Sequence, residues 1–305
     1  MRNDKLGELA RAQGGVFARW QAIELGFGYG TITRKLASRQ WRRIMGCVLA
    51  SATISLDDDA MAWAAYLACG VGAVLSGPSA LRRHGLESPR PDDVQWVTVP
   101  AERHVSFKGV RLIREALPSE DVELVGGMRV TSVERSIVDT LRVFPVPIGQ
   151  PLLDRALLRG WLTVEELTIR VHHFSGRRGV ARLRDQLDRV REGARSEAER
   201  RLHELLAAAS ITGWTADYKV YSDDGQLVAV IDVAFAEELV AVEIDGLAFH
   251  SDPGRFQRDR TRQNWLTNQG WTVLRFTWDD LTQRRRHVLH TIRAALRARQ
   301  DPSDR

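Results

Sequence analysis

Lysine and cysteine are scarce in this chain. Only Lys5, Lys35, Lys108 and Lys219 contribute lysine to the 44 basic residues, so arginine carries nearly all the positive charge. Cys47 and Cys69 are the only cysteines and lie far from any metal-ligand spacing, which excludes a disulfide framework and a structural zinc site and fits a reducing compartment. Long apolar runs are also missing. The most apolar stretch, MAWAAYLACGVGAVLSG from Met61, falls short of the ~20 residues of a membrane span and reads as a buried helix with its following turn. The opening MRNDKLGELARAQGG has an amphipathic helical pattern without the apolar core of a signal peptide. The expectation is a cytoplasmic chain with no membrane partner.

What is present is 305 residues, 44% hydrophobic, with a net charge of +5. That length and apolar content support two or three domains with real cores. The basic excess, in arginine, fits a polyanionic partner such as DNA.

The first segment reads as helix, helix, helix and a small hairpin, WRRIMGCVLA. This is the outline of a winged helix-turn-helix over residues 1–56, whose third helix enters the major groove. Thr31, Thr33, Arg34, Lys35, Ser38 and Arg39 would meet DNA, with Arg42 and Arg43 at the wing. A middle α+β region over 57–193 opens with the acids of DDDAMAWAAYLA at a helix N-terminus. It carries strand-like DDVQWVTVP and GVRLIRE and capping-box patterns at Thr131/Glu134 and Thr163/Glu166. Adjacent His172 and His173 cannot both face one metal from a helix, and no chemistry clusters there.

A turn near Gly193 leads into the last segment, 194–301, where helix, three strands, helix, strand and helix make a compact mixed α/β domain. Asp232 lies in VAVIDVAF, and Glu243 and Asp245 in VAVEIDG. Alternate strand residues share a face, and like charges so close repel unless something positive lies between them. Convergence of the three carboxylates would suit a hard cation, Mg²⁺ or Mn²⁺, with water and a substrate phosphate completing the shell. His250 is the candidate general acid or base. Glu199 is either an outer-shell partner or, with Ser196, a capping box; Arg262 pairs with Asp259 or meets phosphate, as would Arg275.

The segments AERRLHELL, IDVAFAEELVAVEIDGLAFH and RDRTRQNWLTNQGWTVLRFTWDDL resemble the uncharacterised bacterial domain related to very-short-patch repair endonucleases, within the PD-(D/E)XK nuclease superfamily. The resemblance covers about the last third of the chain and implies a restriction-endonuclease-like fold and Mg²⁺-dependent phosphodiester hydrolysis. Asp232 then matches the first metal-binding acid and Glu243 the acid of the second motif. Asp245 stands where many nucleases carry Lys and the repair endonucleases a His, with His250 matching their second His. The first half, through GGVFARWQAIELGFGYGTITRKLASRQWRRIMGCVLA, VLSGPSALRRHGL and GMRVTSVERSIVDTL, is similar to AbiEi-like antitoxins and transcriptional regulators, which implies a winged-helix DNA reader.

Together these define a mixed α+β multidomain protein, with DNA as the expected partner, and two functions. One is a metal-dependent endodeoxyribonuclease. The other is a non-catalytic regulator or antitoxin, for which a homodimer and a toxin-type partner protein are the further partners.

Overall fold

The computed structural model describes residues 2–89, 94–245 and 253–300, with side chains in the last stretch from residue 260 onward. Twelve α-helices and three sheets appear among them, distributed over two compact units, Met1–Gln186 and Leu187–Arg305. No helix among the described residues is long and apolar enough to cross a membrane.

The first unit begins with α1 (Arg2–Ala12), β1 (Val16–Ala18), α2 (Arg19–Glu24), α3 (Tyr29–Ala37), β2 (Trp41–Met45) and β3 (Val48–Ser51). The strands form a small antiparallel sheet of order β1-β3-β2. Leu6, Phe17, Ile32, Trp41 and Leu49 close a core beneath it, with the Phe17 and Trp41 rings edge to face at 4.9 Å. The expected three helices and hairpin are all there. Strand β1 is additional: three residues, all buried, are too few to show an alternation.

The rest of this unit comprises α4 (Asp58–Cys69), β4 (Val74–Leu75), α5 (Gly77–Arg83), β5 (Gln95–Val99), β6 (Val110–Arg114), β7 (Val122–Val125), β8 (Met128–Thr131), α6 (Val133–Val143), α7 (Val146–Arg159) and α8 (Val164–His173). Asp57 caps α4 by accepting the Ala60 amide at 2.8 Å. Strands β7 and β8 pair across Gly126 and Gly127, whose φ of 55° and 79° make a two-residue turn that only glycine adopts cheaply at both positions. The capping box at Thr163 and Glu166 forms as expected. That at Thr131 does not: Ser132 caps α6 by accepting the Arg135 amide, and Glu134 instead binds Arg170 at 2.7 Å. His172 and His173 are both exposed.

One feature of this unit has no counterpart in the sequence expectations. Arg135, only 1% exposed, donates to Glu115, to Asp121 at 2.8 Å and to Asp139 at 3.0 Å. Arg142 joins Asp139 and Glu115, Arg170 joins Asp121 and Glu134, and Arg177 reaches Glu115. The guanidinium groups of Arg135, Arg142 and Arg177 surround the buried ring of Phe174 at 5.0, 3.8 and 5.7 Å. Burial draws the Arg135 pKa down, and Asp139 opposes that.

Helix α9 (Val180–Ala208) runs unbroken through Gly193, where a turn was expected. A single glycine costs a helix only about 1 kcal/mol relative to alanine. Ion pairs one turn apart, Arg195–Glu199 and Arg200–Glu204, follow it directly. The second unit then contains β9 (Thr215–Tyr221), β10 (Leu227–Phe235), β11 (Val240–Asp245), α10 (Pro253–Asn268), β12 (Thr272–Thr277), α11 (Trp278–Gln283) and α12 (Arg285–Gln300). The sheet order is β12-β11-β10-β9. Strands β9, β10 and β11 are antiparallel neighbours; β12 is parallel to β11, with Arg275 opposite Glu243. Parallel neighbours need a crossover, and α10 supplies it. Val233, Phe235, Val242, Ile244 and Phe276 pack against Leu202 and Leu206 of α9 and Val288 and Ile292 of α12. A second cluster, Ile231, Ala234, Ala241, Leu266 and Trp271, joins the sheet to α10.

Candidate active site

Two of the three predicted acids are interior residues. Asp232 is 6% and Glu243 5% exposed, each set in an otherwise apolar strand. Buried carboxylates are costly unless paired, and each is paired. Asp232 Oδ2 accepts the backbone amide of Ile244 at 2.8 Å, which ties β10 to β11. Its other oxygen, Oδ1, accepts from Arg195 of α9 at 2.6 Å. Glu243 Oε2 lies 3.1 Å from Arg262 of α10 and 3.2 Å from Arg275 of β12. The remaining oxygen, Glu243 Oε1, is buried with no hydrogen-bond partner among the described residues.

Asp245 is different. It ends β11 half-exposed, with Arg275 Nη1 3.8 Å from its Oδ1. Arg275 is therefore the positive group between the two acids of the strand, in the place where the sequence called for a cation. No group of three His, Cys, Asp or Glu side chains able to hold a metal ion occurs among the described residues; Asp232 and Glu243 are buried on adjacent strands, and Asp245 stands at the exposed end of β11. Glu199 caps nothing, because Ser196 lies inside α9; its Oε1 accepts from Arg195 at 2.8 Å. His250 lies outside the described residues, as does the side chain of Asp259.

The electrostatics follow from these contacts. Burial raises the Glu243 pKa above the ordinary carboxylate value; Arg262 and Arg275 pull it back, and Asp232 and Asp245 add to the rise. Around Arg195, partial burial acts to lower the pKa, but Asp232 and Glu199 hold it above its usual value. Sequence reasoning missed Arg195. The available signal was its spacing of four from Glu199 in a helical segment.

Asp232 Oδ1 and Glu243 Oε1 suit a hard divalent cation, which takes carboxylate oxygens and keeps several waters. Asp232 is held rigidly through Oδ2, and Glu243 has an oxygen that nothing else satisfies. Glu243 already contacts two arginines, so only Arg195 stands on an oxygen an ion would take.

In the first unit, Thr33, Arg34, Ser38, Arg39, Arg42 and Arg43 are exposed, and Thr31 and Lys35 half-buried. Arg39 ends α3 with a φ of 57°. Lys35 lies 5.1 Å over the Trp41 ring and donates to Gln40. Arg42 is tied to the Ile54 carbonyl at 2.7 Å, while Arg34, Arg39 and Arg43 form no ion pair with a described residue.

Sheet order, crossover helix and paired acids together describe residues 187–305. Residues 203–296 match a restriction-endonuclease-like family, REase_MTES_1575. The C-terminal domain is accordingly restriction-endonuclease-like in a mixed α+β multidomain chain. Two uncharacterised proteins of Mycobacterium tuberculosis, MT2308 of strain CDC 1551 and Rv2248 of strain H37Rv, are each 25% identical over 160 residues. The match spans 52% of this chain and 59% of those relatives' length. The crystal structure of the RV2827C protein from the same species aligns with 60% of this chain and 74% of its own, at 19% identity and a TM-score of 0.41.

Proposed function

We infer that the C-terminal domain hydrolyses DNA phosphodiester bonds with Mg²⁺ or Mn²⁺, and that the N-terminal residues 1–56 dock the chain on duplex DNA. The observation that carries this reading is the buried acid pair on adjacent strands, Asp232 and Glu243, with one carboxylate oxygen left unsatisfied. Burying that oxygen without a partner costs about 1–3 kcal/mol, a cost that a function at the site would explain. Asp232 and Glu243 would hold the ion. A bound divalent cation polarises a phosphoryl group and lowers the pKa of water at neutral pH.

The chain's own residues do the rest. The Ile244 amide keeps the Asp232 carboxylate in one orientation. Arg262 and Arg275, 30% and 32% exposed at the side chain, present guanidinium edges to a phosphate while bound to Glu243. Asp245 extends the acid row at the strand end, and His250 is assigned the proton transfer. On the N-terminal part, helix, strand, two helices and a hairpin follow one another in winged-helix order, and exposed Arg34, Arg39 and Arg43 are free to meet phosphates.

A second reading is favoured by the two arginines on Glu243 together with an acid, Asp245, where many nucleases carry Lys: a non-catalytic DNA-binding regulator. A plasmid assay separates the two. The full chain should nick supercoiled DNA with Mg²⁺ or Mn²⁺, and Asp232→Ala and Glu243→Ala should each abolish nicking. Salt-sensitive DNA binding without nicking at any metal concentration would leave only the regulator.

A further inference from the structure

The two oxygens of Asp232 have unequal partners. Oδ2 is bound to a strand amide in the sheet interior, a contact that fixes the carboxylate plane. Oδ1 accepts from Arg195, whose side chain is 53% exposed against 30% for Arg262 and 32% for Arg275. Arg275 is further restrained because its backbone pairs with that of Glu243. Arg195 also has a second foothold one turn along its own helix, Glu199 Oε1, reached through Nε rather than the Nη2 that binds Asp232. It can therefore release Asp232 and stay anchored.

Among the described residues, one buried carboxylate oxygen of the cluster, Glu243 Oε1, has no hydrogen-bond partner.

We propose that Arg195 is a displaceable internal counter-ion: it occupies Asp232 Oδ1 until a divalent cation is taken up at Asp232 and Glu243, then swings away on its Glu199 anchor. The proposal rests on the metal-dependent reading above and adds the residue that competes with the ion. Arg195 is a positioning residue in this scheme. Its positive charge neutralises Asp232 in the absence of metal and sets how much cation is needed to replace it. Loss of that charge makes the metal bind more tightly, whereas loss of a true metal or substrate ligand makes binding weaker.

The test is calorimetric titration of Mn²⁺ alone into the full chain, with no DNA. Arg195→Ala and Arg195→Gln should each bind Mn²⁺ about tenfold more tightly than wild type, in line with the loss of one charge-assisted competitor. Arg195→Lys, which restores the charge, should return affinity toward the wild-type value. Arg200→Ala, on the same helix and paired only with Glu197 and Glu204, should leave it unchanged. The rise in melting temperature on adding Mn²⁺ should be larger for Arg195→Gln than for wild type, and absent once Asp232→Asn is added. If wild type binds Mn²⁺ and both neutral variants bind it no better, the counter-ion role is overturned while the metal-dependent reading stands. If folded wild type and folded variants alike fail to bind Mn²⁺ at millimolar concentration, both fall.

Discussion

Arg135 in the first unit and Arg195 in the second each bridge carboxylates from separate segments, yet the two clusters are built differently. Around Arg135, four arginines meet four acids, Glu115, Asp121, Glu134 and Asp139. No described carboxylate oxygen of that group is buried without a partner, although Arg142 Nε is, and the central guanidinium is almost sealed from water. Around Arg195, one carboxylate oxygen, Glu243 Oε1, is buried without a partner among the described residues, and the bridging arginine is half in solvent. A closed network ties segments together, whereas a half-exposed arginine exchanges its partner with water. The contrast lies in how completely the carboxylates are satisfied, since the residue types are the same.

That contrast is sharpest in stability. Arg135→Ala should destabilise the chain by about 3–5 kcal/mol, the cost of stranding buried acids, read as a drop in the urea midpoint. Arg195→Ala should cost about 1 kcal/mol or less, because a half-exposed pair is screened and exchanges with water. Equal losses at the two positions would mean that Arg195 is as structural as Arg135.

Phe174 sharpens the comparison next. Three guanidinium groups surround its ring. Phe174→Leu keeps most of the apolar volume but removes the negative face on which those cations rest, at about 0.5–2 kcal/mol for a desolvated cation–π contact. Equilibrium unfolding should show a loss of about 2 kcal/mol; a loss under about 0.5 kcal/mol would make the ring merely a filler.

The two clusters were also unequally legible. Asp232 and Glu243 stood out because a charge inside an apolar strand violates a pattern of period two, and the structure buries both. The Arg135 cluster violates no local pattern. The three acids that Arg135 itself binds come from just past β6, from a single 3₁₀ turn (Ser119–Asp121) and from α6, at separations of 4 to 20 residues, and in an arginine-rich chain no single arginine is conspicuous. The same physics explains the other departures. The turn placed at Gly193 rested on glycine's local cost, which neighbouring ion pairs in α9 outweigh. The capping box assigned to Thr131 missed by one residue because Ser132, beside it, has the same capping chemistry. Strands β9 to β12 and their helices were legible from apolar runs and an Asp-Gly turn, whereas β1, β4 and the β7–β8 hairpin are too short to establish a period.

The smallest effect is in pH dependence, at one residue of the second cluster. Glu243 has its pKa raised in the folded chain, chiefly by burial, so folding favours its protonated form. Its own contribution to stability is then fully present below the ordinary glutamate pKa of about 4.3 and is lost as pH rises through the higher folded value. Glu243→Gln removes that titration and leaves a pH-independent offset from the two arginines it deprives of a charge. The stability of Glu243→Gln minus that of wild type, measured by urea unfolding without divalent ions, should therefore increase from pH 4 toward neutrality. A flat difference would mean that Arg262 and Arg275 fully compensate the buried charge. A falling one would mean that they hold Glu243 ionised, and that the second cluster is a closed salt-bridge network like the first.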